Sequence, residues 1–256
     1  MLDEHRVSSD IRCGTPDRYE LAEARIDLAA AHRLAVRDGL HEGTWGHMSM
    51  SVPGAPTEML ISPGGRHWSQ VRASDLALVT GTETQDGLEK SSALLWVGYR
   101  IHYPVHAARP DAVCVLHAHP PYATALSMVE GLELEMAEQN ALEFYRRTAY
   151  TAEYDGTPSP GMNHGEMIAA ALGREAIVLF LKNHGVIVVG PSVAVAYTNL
   201  YLLERACRVL HLAHGYGRPL SVIPEARRVT GDDRSKLEHF AAMKRLLDAE
   251  EPDYRG

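Results

Sequence analysis

The chain has 256 residues, 45% of them hydrophobic, and a net charge of −8 with an isoelectric point near 5.9. That supports a large folded core and excludes a nucleic-acid surface, which needs clustered lysine and arginine. Three widely spaced cysteines, no apolar leader and no run approaching the ~20 apolar residues of a membrane span point to a cytoplasmic protein without a disulfide framework or a membrane partner.

Residues 1–17 are polar, carry Gly14 and Pro16, and are expected to form a flexible arm ahead of a single domain over 18–256. A helix is predicted over 18–39, where Leu21, Ala24, Leu28, Ala31 and Ala35 recur at three- and four-residue steps before a glycine stop. The end of HEGTWGHMSMSV alternates like a strand, PGAP makes a turn, and MLISP and LALVT are further short strands around the glycine-led loop GGRHWSQV. A helix over 91–108 contains Pro104, which predicts a kink or an early end. RPDAVCVLHAH is a buried strand stopping at two histidines, and PPYATALSMV opens a helix with proline in its first turn.

EMAEQNALEFYRR is predicted helical, 150–161 a loop and 163–172 a short helix. EAIVLFLKNHGVIVVGPS splits into two apolar strands interrupted by KNHG. The clearest helix covers 192–215, with Val193, Ala196, Leu200, Leu203, Cys207 and Leu210 on one face, and a last helix covers 232–249. The pattern is that of a mixed α/β domain with helices covering a sheet.

Fourteen histidines make position the deciding criterion. Residues i and i+2 of a strand share a face, so His117 and His119 present two imidazoles side by side at a strand end. Taken alone, such a pair is more simply two hydrogen-bonded side chains. His184 shifts the balance, because KNHG is a polar break between buried strands and buried polar groups need partners. Three neutral imidazoles with an open position suit one divalent ion, Zn, Mn or Fe. His102 and His106, four apart on a helix, fit hydrogen bonding and packing better than a second metal site.

VLHAHPPYATALS, the preceding ARPD, the later LKNHGVIVVG and LLERACR together resemble the class II aldolase/adducin superfamily over roughly 20–215. The resemblance implies a three-layer αβα domain with a central, mainly antiparallel sheet, assembled as a homotetramer with active sites at subunit interfaces. It assigns the metal to His117, His119 and His184.

The departures from the family pattern bear on the reaction. Counting back without gaps from Arg109 places Gly98 where the sugar-phosphate aldolases carry their glutamate base, and Trp96 and Val97 where they carry paired serines. Ser91 and Ser92 come too early unless the chain has an insertion. The family's glycine–asparagine pair reads Gly46-His47, and its threonine-rich turn reads Ser62-Pro63-Gly64-Gly65 followed by Arg66-His67-Trp68.

Such a pocket suits a non-phosphorylated carboxylate substrate, flat or partly apolar, bound among His47, Ser62, Gly64, Arg66, His67 and Trp68. Glu138 falls at the position of the family's tyrosine proton donor, with Tyr122 as a second catalytic candidate. A glutamate-lacking site resembles metal-dependent aromatic-acid decarboxylases and related lyases. The expected function is a metal-dependent carbon–carbon lyase, decarboxylase or aldolase. The alternatives are a non-haem Fe(II) oxygenase and a non-catalytic adducin-like module.

Overall fold

The computed structural model describes residues 18–154 and 164–256; the expected arm over 1–17 lies outside them. The first helix, α1 (Arg18–Arg37), is followed by Gly39, whose φ of +69° closes a turn in which Leu40 N–H donates to Ala35 O and Gly39 N–H to Val36 O. Glycine takes this left-handed conformation without steric cost. Strands β1 (His47–Val52) and β2 (Ala55–Ile61) follow, then two 3-10 turns, β3 (Ala77–Thr80), the short α2 (Gln85–Glu89) and α3 (Ala93–Ala108). The remaining elements are β4 (Cys114–Ala118), α4 (Pro121–Ser127), β5 (Thr148–Tyr150), α5 (His164–Leu172), β6 (Val178–Leu181), β7 (Gly185–Gly190), α6 (Val193–His214) and α7 (Asp233–Glu250).

The seven strands form one sheet in the order β3-β2-β1-β4-β7-β6-β5, antiparallel throughout except for the β5–β6 pair. Strand alternation divides its two faces. On β1, His47, Ser49 and Ser51 turn toward α3, where Ser49 and Ser51 meet His102 and His106. Met48 and Met50 turn the other way, into the main apolar core with Leu28, Leu116 and Leu200. Helices α1, α4, α6 and α7 pack together on that core side, while α3 packs with α2 and α5. The architecture is the three-layer αβα arrangement expected. No helix among the described residues is long and apolar enough to cross a membrane.

Two segments differ from expectation. Pro104 does not stop α3, which runs on to Ala108. Proline removes one N–H and crowds the carbonyl four residues back; α3 continues past both, and Gly165 of α5 packs against that Arg100 carbonyl and the Pro104 ring, so close that a Cβ there would lie 2.2 Å from the carbonyl oxygen. The helix predicted for EMAEQNALEFYRR reduces to a 3-10 turn, Asn140–Phe144. Glu138 takes the Asn140 and Ala141 amides at 2.9 and 2.7 Å, and Arg146, at φ +59°, turns the chain into β5. The predicted loop over 150–161 therefore begins on the last residue of a strand, and 155–163 lie outside the described residues.

The core holds histidines as well as hydrocarbons. His32 donates from Nδ1 to Leu28 O and accepts at Nε2 from Ser62, both at 2.7 Å. Burial pushes His32 and His106 down to about 4. An unfolded histidine titrates near 6.5. Between those values the unfolded chain binds protons that the folded chain refuses, so this stability is fully present above about pH 6.5 and is lost as pH falls toward 4. Each such histidine is worth ~1.4 kcal/mol per pH unit across the window. The melting temperature of metal-free protein is expected to fall steeply between pH 7 and 5; a flat profile would contradict the burial of these rings.

Candidate metal centre

Strands β1, β4 and β7 lie side by side, with His47 opposite His117 and Ala118 opposite Val186. His117 is the penultimate residue of β4 and His119 follows its last paired residue. Their rings still project together, with Nε2 atoms 3.1 Å apart. His184 reaches them from the β6–β7 turn, its ring centroid 4.9 Å from that of His117 and 4.8 Å from that of His119. One ligand atom from each of the three lies within 4.8 Å of the others.

Backbone conformation makes this possible. Asn183 adopts φ +59°, which asparagine tolerates better than most residues, and swings His184 out of the strand line. Gly185 lets β7 press against β4: a Cβ there would lie 2.6 Å from both Ala118 O and His119 Cδ2. Gly46, at φ +83°, does the same beside β1, where a Cβ would lie 2.8 Å from His117 O and 3.1 Å from the Trp68 ring.

Hydrogen bonding assigns the ligand tautomers. His117 Nδ1 faces the Val186 carbonyl at 3.1 Å, and His119 Nδ1 faces the Glu42 carboxylate at 2.6 Å. Both partners accept only, so both Nδ1 atoms carry hydrogen and both Nε2 atoms present lone pairs. Burial first, and the rings of His47, His119 and His184 after it, hold His117 well below the ordinary histidine value, so it is a neutral ligand. Two lone pairs 3.1 Å apart repel. A shared proton would reconcile two imidazoles; a cation reconciles all three. With metal–nitrogen bonds of ~2.1 Å, that 3.1 Å spacing subtends roughly 95° at the ion, a feasible coordination angle. The donor set therefore fits a divalent ion.

Glu42 escapes sequence reading because it acts on His119 across 77 residues and belongs to no periodic pattern. Partners of this kind typically carry 10–100-fold in metal affinity. Glu42→Ala is expected to weaken metal binding by about that factor, measured by chelator competition, while the melting temperature changes little, since an exposed side chain contributes little to stability.

The remaining candidates separate. His47 stays in the site, its ring centroid 4.9 Å from that of His117. Gly98 lies behind it: a Cβ at 98 would sit 3.1 Å from His47 Cγ and 3.1 Å from Ile61 Cδ1, so the His47 ring fills the space a side chain there would use. Ser62 is not a ligand-facing hydroxyl, because it is buried between His32 and the Met48 backbone. Trp68 is not a substrate-facing ring either; it is 2% exposed and packs in the main core beside His32 and Gly46. His67 caps a 3-10 turn, bonded to Ser69, and Arg66 is paired with Asp75 at 3.1 Å.

Gly64 packs against Ser92, whose Oγ would lie 2.1 Å from a Cβ at 64. The fold thus brings Ser92, not Trp96 or Val97, to the glycine turn. Trp96 instead stacks on Tyr99 in a smaller cluster with Met59 and Val79. The gap-free count therefore does not hold for the serines, and a shift that brings Ser91 and Ser92 to their positions puts Ala93 after them in place of Gly98; α3 carries no carboxylate at either.

The two catalytic candidates have other work. Both oxygens of Glu138 are taken by the Asn140 and Ala141 amides, which suffices to explain a carboxylate there. Tyr122 gives its N–H to Glu204, and its ring packs against His211 and the Arg208 guanidinium of α6, lining an apolar cavity with Leu126, Cys207 and Leu210. Among the described contacts neither side chain touches the three imidazoles.

Comparison with known proteins bears on the family of the chain. Residues 26–211 match the family described as Class II Aldolase and Adducin N-terminal domain. A putative aldolase class 2 protein of Caulobacter vibrioides is 33% identical over 242 residues, 91% of each chain. Decarboxylase NovR of Streptomyces niveus is 29% identical over 218 residues, 82% of this chain and 78% of that protein. The crystal structure of an aldolase II superfamily protein from Pseudomonas syringae superposes with a TM-score of 0.81 at 31% identity, covering 93% of this chain and 96% of that one. By sequence and by superposition, the chain belongs to the class II aldolase and adducin family.

Proposed function

We propose that this protein is a metal-dependent carbon–carbon lyase, and within that class a decarboxylase acting on a small hydroxy- or oxo-carboxylate. The observation that carries the reading is the pairing of a three-imidazole site with a helix α3 that bears no carboxylate along its length. Membership of the class II aldolase family supports a lyase, and the similarity to a decarboxylase supports the finer assignment.

A divalent ion bound by the three imidazoles would act as a Lewis acid, drawing electrons from a substrate that chelates it through adjacent oxygens. His117, His119 and His184 would hold that ion, with Val186 O and Glu42 keeping the first two in the ligating tautomer. With no carboxylate anywhere on α3, nothing on that helix removes a proton from carbon. Loss of CO2 needs no such base: the breaking C–C bond leaves its electron pair on carbon, and one proton added afterwards completes the product. Aldol cleavage, by contrast, begins by taking the proton of a substrate hydroxyl.

The test is to strip the protein with chelator, reload it separately with zinc, manganese and iron, and incubate it with a panel of hydroxy- and oxo-acids. The expected result is CO2 released only by loaded protein. Carbonyl products without CO2 would replace the decarboxylase with an aldolase. Oxygen uptake during turnover would identify an oxygenase. Failure to take up any of the three ions would leave an adducin-like module.

A further inference from the structure

Behind the three imidazoles lies a buried chain of side chains that the proposed chemistry does not use. His47 Nδ1 lies 2.7 Å from His102 Nε2, and His102 Nδ1 lies 2.6 Å from Ser49 Oγ. Ser49 Oγ lies 2.8 Å from His106 Nε2, and His106 Nδ1 lies 2.8 Å from the Ala112 carbonyl and 3.0 Å from Ser51 Oγ. All four members from His47 to His106 are buried.

The Ala112 carbonyl sets the direction of every bond in the chain, because it can only accept. His106 therefore carries its hydrogen on Nδ1, and its Nε2 accepts from the Ser49 hydroxyl. Ser49, having spent its one hydrogen, accepts from His102 Nδ1. His102 Nε2 is then a lone pair and accepts from His47 Nδ1. The last consequence falls in the site: His47 Nε2 has no hydrogen. That atom has no hydrogen-bond partner among the described residues, in a ring that is 6% exposed. The two nitrogens of an imidazole point in nearly opposite directions. With Nδ1 committed to α3, Nε2 lies on the side of the ring away from that helix, and the centroid of the His117 ring lies 4.9 Å from that of His47.

We infer that His47 is the substrate-orienting residue of this site, held by the His102–Ser49–His106 chain as a hydrogen-bond acceptor, so that it selects a substrate bearing a hydroxyl beside the metal-chelating group. An acceptor turns away carboxylate and phosphate oxygens, which offer only lone pairs. His47 is therefore not the carboxylate clamp that its sequence position suggests, and the ring occupying the space at Gly98 supplies an acceptor where a side chain from α3 is missing. This deepens the metal-lyase reading and rests on it.

The test uses full-length metal-loaded protein and three calorimetric probes sharing a 2-hydroxycarboxylate head: L-lactate, L-glycerate, which adds one hydroxyl, and L-malate, which adds a carboxylate. Glycerate is expected to bind up to about tenfold more tightly than lactate, the worth of one good hydrogen bond, and malate most weakly. His47→Phe should bring the glycerate-to-lactate ratio to about one while metal content, measured by elemental analysis, is kept. His102→Leu should do the same from a distance. His102→Gln, which offers an acceptor toward His47 and a donor toward Ser49, should restore the preference.

Equal binding of glycerate and lactate by the wild type, tightest binding of malate, or an unchanged ratio in folded His47→Phe would overturn the inference and leave the metal site standing. If the protein takes up no divalent ion, or the loaded protein binds none of the three acids, the metal-lyase reading and this inference fall together. Should His47→Phe not fold, the wild-type order and the two His102 variants decide.

Discussion

Replacing His117 with alanine is expected to abolish stoichiometric binding of a divalent ion, and with it any metal-dependent turnover. His117 sits centrally: its Nε2 lies 3.1 Å from that of His119, and its ring is in contact with those of His119, His184 and His47. Losing a ligand should cost more than the ~10–100-fold expected for removing a supporting partner such as Glu42, enough to leave the ion in solution at micromolar protein. The fold also loses the bond to the Val186 carbonyl, a matter of about 1 kcal/mol with further cost for the space vacated by a buried ring. Elemental analysis of the purified variant against wild type, with a thermal melt of each, checks both parts. A variant that retains one equivalent of ion would remove His117 from the site.

Gly185→Ala should damage the same centre without touching a ligand. The added methyl would lie 2.6 Å from the Ala118 carbonyl oxygen and 2.6 Å from His119 Cδ2. The first is backbone of the neighbouring strand and the second is a ring pinned by Glu42, so neither yields cheaply. Overpacking of this kind costs ~1–3 kcal/mol. Relief would come from parting β7 and β4, which bear Val186 and His117, or from rotating His119; each route spoils the convergence of the three Nε2-bearing rings. The variant is expected to melt several degrees lower and to bind metal at least tenfold more weakly. A normal melting point together with normal metal affinity would show that the two strands are not pressed together as described. Gly87→Ala serves as the contrast, because only the Thr84 hydroxyl, at 3.1 Å, stands near a methyl there.

The two substitutions illustrate how differently site residues announce themselves. His117 and His119 stand out because strand periodicity places alternate residues together, and the apolar run before them marks the strand. His184 stands out because a polar break inside an apolar run demands a partner. Gly185 shows in the chain only as a glycine after a histidine; its necessity comes from β4, 67 residues away in sequence from Gly185 to Ala118. Trp68 misleads in the opposite sense. Its neighbours Gly64, Arg66 and His67 form a surface turn, yet the indole folds back beneath α1 to support Gly46.

What the chain determined on its own was local. Apolar spacing sufficed for α1, α3, α6 and α7, because burial on one face leaves a period of 3.6, and continuous apolar runs sufficed for β4, β6 and β7, which are buried on both faces. The three histidines that the structure brings together were equally legible, from strand alternation at 117 and 119 and from the polar break at 184. Tertiary structure alone decided which nitrogens of His117 and His119 are left with free lone pairs, that Glu138 caps a turn, that Ser92 meets Gly64, and that His47 heads a chain ending at Ala112. Each of these depends on a partner brought near by the β2-β1-β4-β7 strand order or by a local turn. A hydrogen bond has a direction only once both of its ends are in place, and no sequence pattern records where the far end will be.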